Sequence, residues 1–274
     1  MSSVIAIYRD VRFSPNSVAA DRSIMDATID RLGQHQVLVI AEHELSEQHR
    51  ADLFLSMGRL PRTIQLLKVH EQQNRALVIN NAAALERFSR RHILQMMQEN
   101  GIPTPPETGE HGYWVKRADA AAQTKADVVF CSDKATAEKT KRNFALRGVN
   151  DVVVSAHVVG DLIKFYGVGD SFFWYFYPTD NGHSKFGNEK RNGIAQHFGF
   201  NLHELRAAAT RLARLTGIDV YGGDCIVDRE GHFFIIDFND WPSFSPCREQ
   251  AADAISLFVN QLLAAQNNSQ QKNG

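Results

Sequence analysis

Gly223-Asp224-Cys225-Ile226-Val227, the turn Asp228-Arg229-Glu230-Gly231, and Phe233-Phe234-Ile235-Ile236-Asp237-Phe238-Asn239-Asp240-Trp241-Pro242 form the most informative stretch of this chain. Two apolar runs on either side of turn-forming residues predict a β-hairpin. Alternate residues of a strand share a face, so Asp237 and Asn239 point the same way. Pairing within the hairpin then brings Asp224 beside them. Two carboxylates and one amide oxygen, with no base between them, make an all-oxygen donor set. That chemistry suits Mg²⁺, which keeps several waters and leans on substrate phosphates. Anions within an apolar hairpin are costly unless a positive charge offsets them. The alternative is that Asp237 and Asp240 are polar residues where a strand enters a loop.

Upstream of the hairpin, Leu202 to Thr216 predicts a helix closed by Gly217, and Leu162 to Val168 a strand. Val152-Val153-Val154, Asp127 to Phe130 and Tyr113-Trp114-Val115-Lys116 read as further strands, antiparallel around one basic helix from Thr136 to Leu146. Asn81 to Asn100 predicts a single amphipathic helix, with Leu85, Phe88, His92, Met96 and Glu99 roughly a turn apart. Gly101 closes it, and the prolines from Pro103 to Pro106 force an extended exit.

The first eighty or so residues alternate strand and helix, as a parallel α/β unit does. Strands are expected at Val4 to Tyr8, Val37 to Ile40 and Ala76 to Asn80, and helices at Ala19 to Leu32 and Leu45 to Leu55. No G-x-G-x-x-G follows the first strand, so no dinucleotide fingerprint is present. A last helix is expected from Gln250 to Ala265. The expected division is 1–80, a small Rossmann-like substrate-side unit; 81–265, a nucleotide-binding and catalytic unit; and 266–274, a disordered tail.

Composition narrows the classes. The 274 residues are 43% hydrophobic and 22% charged, an ordinary globular balance. A net charge of −1 lacks the basic excess of a nucleic-acid binder. The longest apolar runs stop short of a membrane span, and the N-terminus lacks a signal-peptide pattern. Cys131, Cys225 and Cys247 are odd in number and widely spaced, so they suggest neither a disulfide framework nor a zinc motif. A cytoplasmic location is the expectation.

From Leu77 to Leu257 the segments resemble the ATP-grasp superfamily, in that family's order. Asn80 to Pro105 is a helix with a basic residue near its start, followed by Gly-Ile-x-x-Pro. Tyr113 to Lys116 matches the strand whose lysine meets the nucleotide. Val152 to His157, then Gly160 to Gly169, looks like the hinge over adenine and the basic strand after it. Asp224, Asp237 and Asn239 match the magnesium triad. The resemblance implies an α/β ATP-grasp fold behind a small Rossmann-like N-terminal domain. It implies that ATP is held by Arg90, Lys116, Lys164 and His157, with Lys164 facing the transferred phosphoryl group. Asp224, Asp237 and Asn239 would bind two Mg²⁺ ions, with Mn²⁺ as the alternative ion.

The chain departs from the pattern in places. The stretch after Lys116, Arg117 to Lys125, has no glycine where many members have a glycine-rich loop. Ala156 stands where the hinge usually offers a carboxylate to ribose. Arg90 replaces a lysine and Asp237 a glutamate, two variants shared with inositol polyphosphate kinases. Arg191-Asn192 resembles the family's Arg-x-Asn segment without its spacer and makes Arg191 the second candidate catalytic residue. It lies in a stretch, Asn181 to Asn192, with His183, Lys185 and Lys190.

Three functions follow from the resemblance. The first is a ligase joining a small-molecule or peptide carboxylate to an amine through an acyl phosphate. The second is a kinase acting on a hydroxyl, and the third an inactive nucleotide-binding module. No nucleic-acid or membrane partner is expected, and related enzymes suggest a homodimer. Asp240 is a candidate extra carboxylate for metal or a substrate amine. Ser243 and Ser245 lack a spaced His–Asp partner for nucleophilic chemistry, and Cys247 is read as inert.

Overall fold

The computed structural model describes residues 1–119, 124–180 and 191–272. Its first sheet is parallel, built from β1 (Ser3–Tyr8), β2 (Gln36–Ala41), β3 (Leu53–Ser56) and β4 (Leu77–Ile79) in the order β2-β1-β3-β4. Its central strands are apolar along their length because both faces are covered. Val4, Ala6, Leu53 and Leu55 pack on α1 (Val18–Asp30) and α7 (Arg248–Lys272). Ile5, Ile7 and Phe54 face Leu67 of α2 (Pro61–Asn74) on the other side.

The helix expected at Leu45 to Leu55 is not formed: Leu53 to Ser56 is β3 instead. A short apolar run has no period that separates buried strand from buried helix. Burial of all four residues against β1 and β4 decides for strand.

The second sheet is antiparallel, in the order β11-β10-β8-β9, from β8 (Asp161–Val168), β9 (Phe172–Phe176), β10 (Val220–Val227) and β11 (Phe233–Asp240). The hairpin read from the sequence is β10–β11, with Gly231 supplying the positive φ of its turn. The third sheet, β6-β5-β7, joins β5 (Tyr113–Arg117), β6 (Val128–Cys131) and β7 (Val152–Ala156), backed by Phe144 of α5 (Lys134–Leu146). Between these two sheets runs the proline-rich segment. Pro103 accepts the Ile235 N–H at 2.9 Å and Pro106 the Ala156 N–H at 2.8 Å, so it is stitched to both.

The long helix expected at Asn81 to Asn100 is broken into α3 (Ala82–Arg87) and α4 (Arg90–Glu99). Phe88 leaves helical geometry and packs on Phe238, and the Ser89 hydroxyl caps the His92 N–H. No Gly or Pro marks the break, so helical periodicity runs straight through it. Its consequence is that Arg90 opens a helix. At the far end, α7 continues through Lys272 rather than fraying at Gln266. Gln, Asn and Lys sustain a helix already nucleated on a buried face. Gln266 also donates to the Arg75 carbonyl at 2.8 Å.

α6 (Leu202–Thr216) forms as expected, capped by Asn201 and ended by Gly217 at φ +71°. With α4 it covers one face of the antiparallel sheet. The other face shares a core with the parallel sheet, in which Trp241, Val168 and Val220 meet α1 and α7. The cysteines are free and buried, and no helix is long and apolar enough to cross a membrane among the described residues.

Candidate nucleotide and metal site

Three strands set one row of charge. Lys164 on β8 pairs with Asp224 on β10, and Asp224 pairs with Asp237 on β11. Directly opposed residues point to the same face, so these side chains stand side by side. Lys164 Nζ lies 3.2 Å from Asp224 Oδ1, and Arg90 Nη2 lies 3.2 Å from Asp237 Oδ2. The row therefore reads cation, anion, anion, cation. Lys116 crosses from the third sheet, its Nζ donating to the Ile236 carbonyl at 2.9 Å. Asn239 lies two residues beyond Asp237 on the same face, exposed and opposite Gly222.

Gly223 permits this closeness. A Cβ there would sit 2.4 Å from the Asp237 carbonyl oxygen and equally close to the Phe165 ring. A bulge between Asp224 and Cys225 then ends the regular register.

The electrostatics separate the two carboxyls. Burial pushes Asp224 above the ordinary carboxylate range, and Asp237 adds to the rise against the pull of Lys164. Burial raises Asp237 too, but Arg90 and Lys116 outweigh it and hold this group low. Lys116 is brought down to about 8 by burial and by Arg90, against the pull of Asp237 and Asp224. Arg90 donates to the Arg117 carbonyl at 2.6 Å, while its Nε is buried without a partner among the described residues.

From this row a cleft of about 630 Å³ runs between the antiparallel and three-stranded sheets. Arg90, Lys116 and Asp237 line one part of it, and Met97, Val153 and Ile235 supply apolar wall. Strand-lined apolar space next to a cationic row suits a planar base attached to phosphates.

The other candidates sit apart from the row. His157 Nδ1 accepts from the Trp114 indole at 3.1 Å. Burial and Arg191 hold its imidazole below its usual range. Arg191 lies over the Phe130 ring, 3.5 Å from its centroid, and among the described residues it makes no contact with Asp224 or Asp237. His183, Lys185 and Lys190 lie outside the described residues. Asp240 faces away from the row and is held by Arg9 and Arg59 rather than offered to a metal or an amine. No local pattern marks Arg9 or Arg59 in the sequence, because each meets Asp240 only through tertiary structure.

Solved structures match this fold over nearly the whole chain. A RimK domain ATP-grasp protein from Sphaerobacter thermophilus superposes with a TM-score of 0.62 at 15% identity, covering 94% of this chain and 99% of that one. This is the ATP-grasp fold. The D-alanine–D-alanine ligase of Bacillus anthracis, solved with ATP, gives 0.66 at 12% identity over the full length of both chains. The ATP-grasp ligase PsnB, solved with a minimal precursor, gives 0.57 at 12% identity, covering 97% and 99%. No family model matches the sequence, and no curated protein matches it. ATP-grasp architecture is thus carried here by the fold and by a few positions within it.

Proposed function

We propose that this protein is an ATP-dependent ligase that joins a carboxylate to an amine, using ATP held between its antiparallel and three-stranded sheets. The observation that carries the reading is the Lys164–Asp224–Asp237–Arg90 row, with Lys116 beside it, at one end of an apolar cleft. Structural neighbours named as ligases support it, including one solved with ATP and one with a precursor.

In this reading Arg90 and Lys116 hold ATP phosphates, and the unpartnered Arg90 Nε gains an acceptor. The substrate carboxylate attacks the γ-phosphorus and ADP leaves. The amine then attacks the acyl carbon, phosphate leaves, and an amide remains. Lys164 neutralises charge on the phosphoryl group, and Arg191 reaches the site only by leaving Phe130. His157 lies on the base side. Phosphoryl transfer asks the protein for alignment and charge neutralisation more than covalent help.

The donor set fits a hard cation: two carboxylates and an amide oxygen, one carboxylate held high by burial even with Lys164 beside it. Mg²⁺, held by Asp224, Asp237 and Asn239, would supply charge neutralisation across the phosphate oxygens. Arg90 and Asp237 also favour a second reading, a kinase acting on a hydroxyl.

Thermal unfolding with and without MgATP, on the wild type and Asp237→Ala, tests the site. Ligand at a hundred times its dissociation constant adds about 2.7 kcal/mol, a shift of a few degrees at this size. Absence of that shift in the wild type overturns the reading. ADP release then separates the enzymes: the ligase frees phosphate only with carboxylate and amine together, whereas the kinase leaves it on product. MgATP binding without turnover identifies a nucleotide-binding module.

A further inference from the structure

A second buried ionic cluster lies where β11 meets the parallel sheet. The sheet's chain order reverses at β1 and β3, since the chain passes to β2 on one side of β1 and returns to β3 on the other. In open α/β sheets such a switch point opens a crevice at the carboxyl ends of the strands, where ligands bind. Arg9 follows β1 and Arg59 follows β3. Both reach Asp240, the last residue of β11. Arg9 Nη2 lies 3.5 Å from Asp240 Oδ2, Arg59 Nε donates to the same oxygen at 3.2 Å, and Arg59 Nη2 bonds Oδ1.

Each arm is fixed from behind. Arg9 also donates to Met57 O at 3.2 Å, to Trp241 O at 3.3 Å and to Asp21 Oδ2 at 3.2 Å. Glu42, buried just after β2, accepts the N–H groups of Asp10, Arg59 and Leu60. The loops after all three strands are therefore drawn together around Glu42, and those after β1 and β3 are tied to the Asp240 carboxylate. That carboxylate is 1% exposed and three residues beyond Asp237, about 10 Å along the strand. A cavity of about 280 Å³ opens beside the crevice, lined by Tyr8, Arg9, Asp10 and Arg22 among others.

Burying these ions costs more than apolar packing would, so stability alone does not account for them. A carboxylate bonded to two forked guanidiniums does fix direction as well as distance. We propose that Asp240 is a positioning residue: it registers the crevice loops, Arg9 to Ser14 and Met57 to Leu60, against the strand that carries Asp237 and Asn239. The part of this inference that concerns turnover rests on the ligase reading, in which the crevice holds the acceptor in line with the phosphoryl group. The registration itself does not.

The test removes and then restores the carboxylate in the full chain. In Asp240→Ala, amide exchange in the two loops quickens about tenfold, because local opening no longer has to break the bonds to Asp240. Sodium formate restores slow exchange, and sodium chloride at equal ionic strength does not. The MgATP thermal shift stays that of the wild type. With a pool of amino acids as acceptors, kcat for ADP release falls and formate rescues it, while KM for ATP is unchanged. Wild-type exchange in the loops overturns the proposal. So does loss of the MgATP shift in the variant, which would place Asp240 in the nucleotide site. Should Asp240→Ala not fold, Arg59→Ala removes only the less buried of the two partners and gives the same readouts without rescue. No MgATP shift in the wild type defeats the ligase reading and leaves the exchange result to decide the registration.

Discussion

Asp224 and Asp237 stand directly opposite one another on β10 and β11, yet their surroundings drive their carboxyls in opposite directions. The signs follow from linkage. Asp237, held low by Arg90 and Lys116 against burial, contributes stability above its unfolded pKa and loses it as pH falls through its folded value. Asp224, raised by burial, costs stability when ionised and becomes less costly as pH falls. Without nucleotide at neutral pH, Asp237→Asn therefore melts below the wild type, and Asp224→Asn melts at or above it. Both lose the MgATP shift. Scanning calorimetry of the two variants checks this, and equal destabilisation by both would refute the assigned environments.

Lys116 predicts an alkaline limit to nucleotide binding. Its ammonium is brought from 10.5 to about 8 by burial and by Arg90. Bound phosphate needs the charged form, so MgATP affinity weakens by up to about tenfold per pH unit above that value. Stability of the nucleotide-free protein moves the other way. Between pH 8 and 10.5 the unfolded chain binds the proton and the folded chain does not, so this group's penalty is relieved as pH rises. Lys116→Arg, which keeps its charge throughout, flattens the affinity profile. Calorimetric titration of MgATP across this range measures it, and a wild-type profile flat through pH 9 would exclude Lys116 from phosphate contact.

Much of this was readable from the sequence because the deciding contacts are local or strand-periodic. Asp237 and Asn239 are two apart on one strand, and the turn at Asp228 to Gly231 sets the register that delivers Asp224. Lys164 was legible only through the family's order of motifs, since its neighbour Asp224 is sixty residues away. The break at Phe88 and Ser89 was not legible: a hydroxyl cap and an aromatic contact made it, with no Gly or Pro to announce it. β3 was hidden because a strand buried on both faces loses its alternation. Arg191 illustrates a further limit, for charge and spacing named it a catalytic candidate but could not foresee its stacking on Phe130. The Arg9–Asp240–Arg59 cluster joins three distant segments, and a single sequence holds no signal for it.

Asn80 joins the parallel sheet to the antiparallel one. Its fully buried side chain accepts the Val220 N–H at 2.7 Å and donates at 2.9 Å to the Val220 carbonyl, which also accepts the Trp241 N–H at 3.0 Å. Asn80→Ala leaves the Val220 N–H without an acceptor and away from water, at about 1–3 kcal/mol. Urea denaturation should show this loss as a lower midpoint with an unchanged slope. A loss below about 1 kcal/mol would mean that the Val220 N–H finds another acceptor.

Gly223 couples backbone packing to the two carboxylates proposed to hold the metal. A methyl group there meets the Asp237 carbonyl oxygen and the tip of the fully buried Phe165 ring, both at 2.4 Å, and neither has room to give way. Gly223→Ala therefore pushes β11 away from β10, at about 1–3 kcal/mol of overpacking. The larger effect falls on function, because the Asp224–Asp237 separation sets how two carboxylates share a cation. Mg²⁺-dependent stabilisation by ATP should weaken about 10- to 100-fold in affinity. Binding of ATP in EDTA, which relies on Arg90 and Lys116, should change far less. Titrating both with the same variant separates a displaced metal strand from a collapsed nucleotide cleft. Equal losses with and without Mg²⁺ would show that the glycine serves the fold rather than the metal geometry.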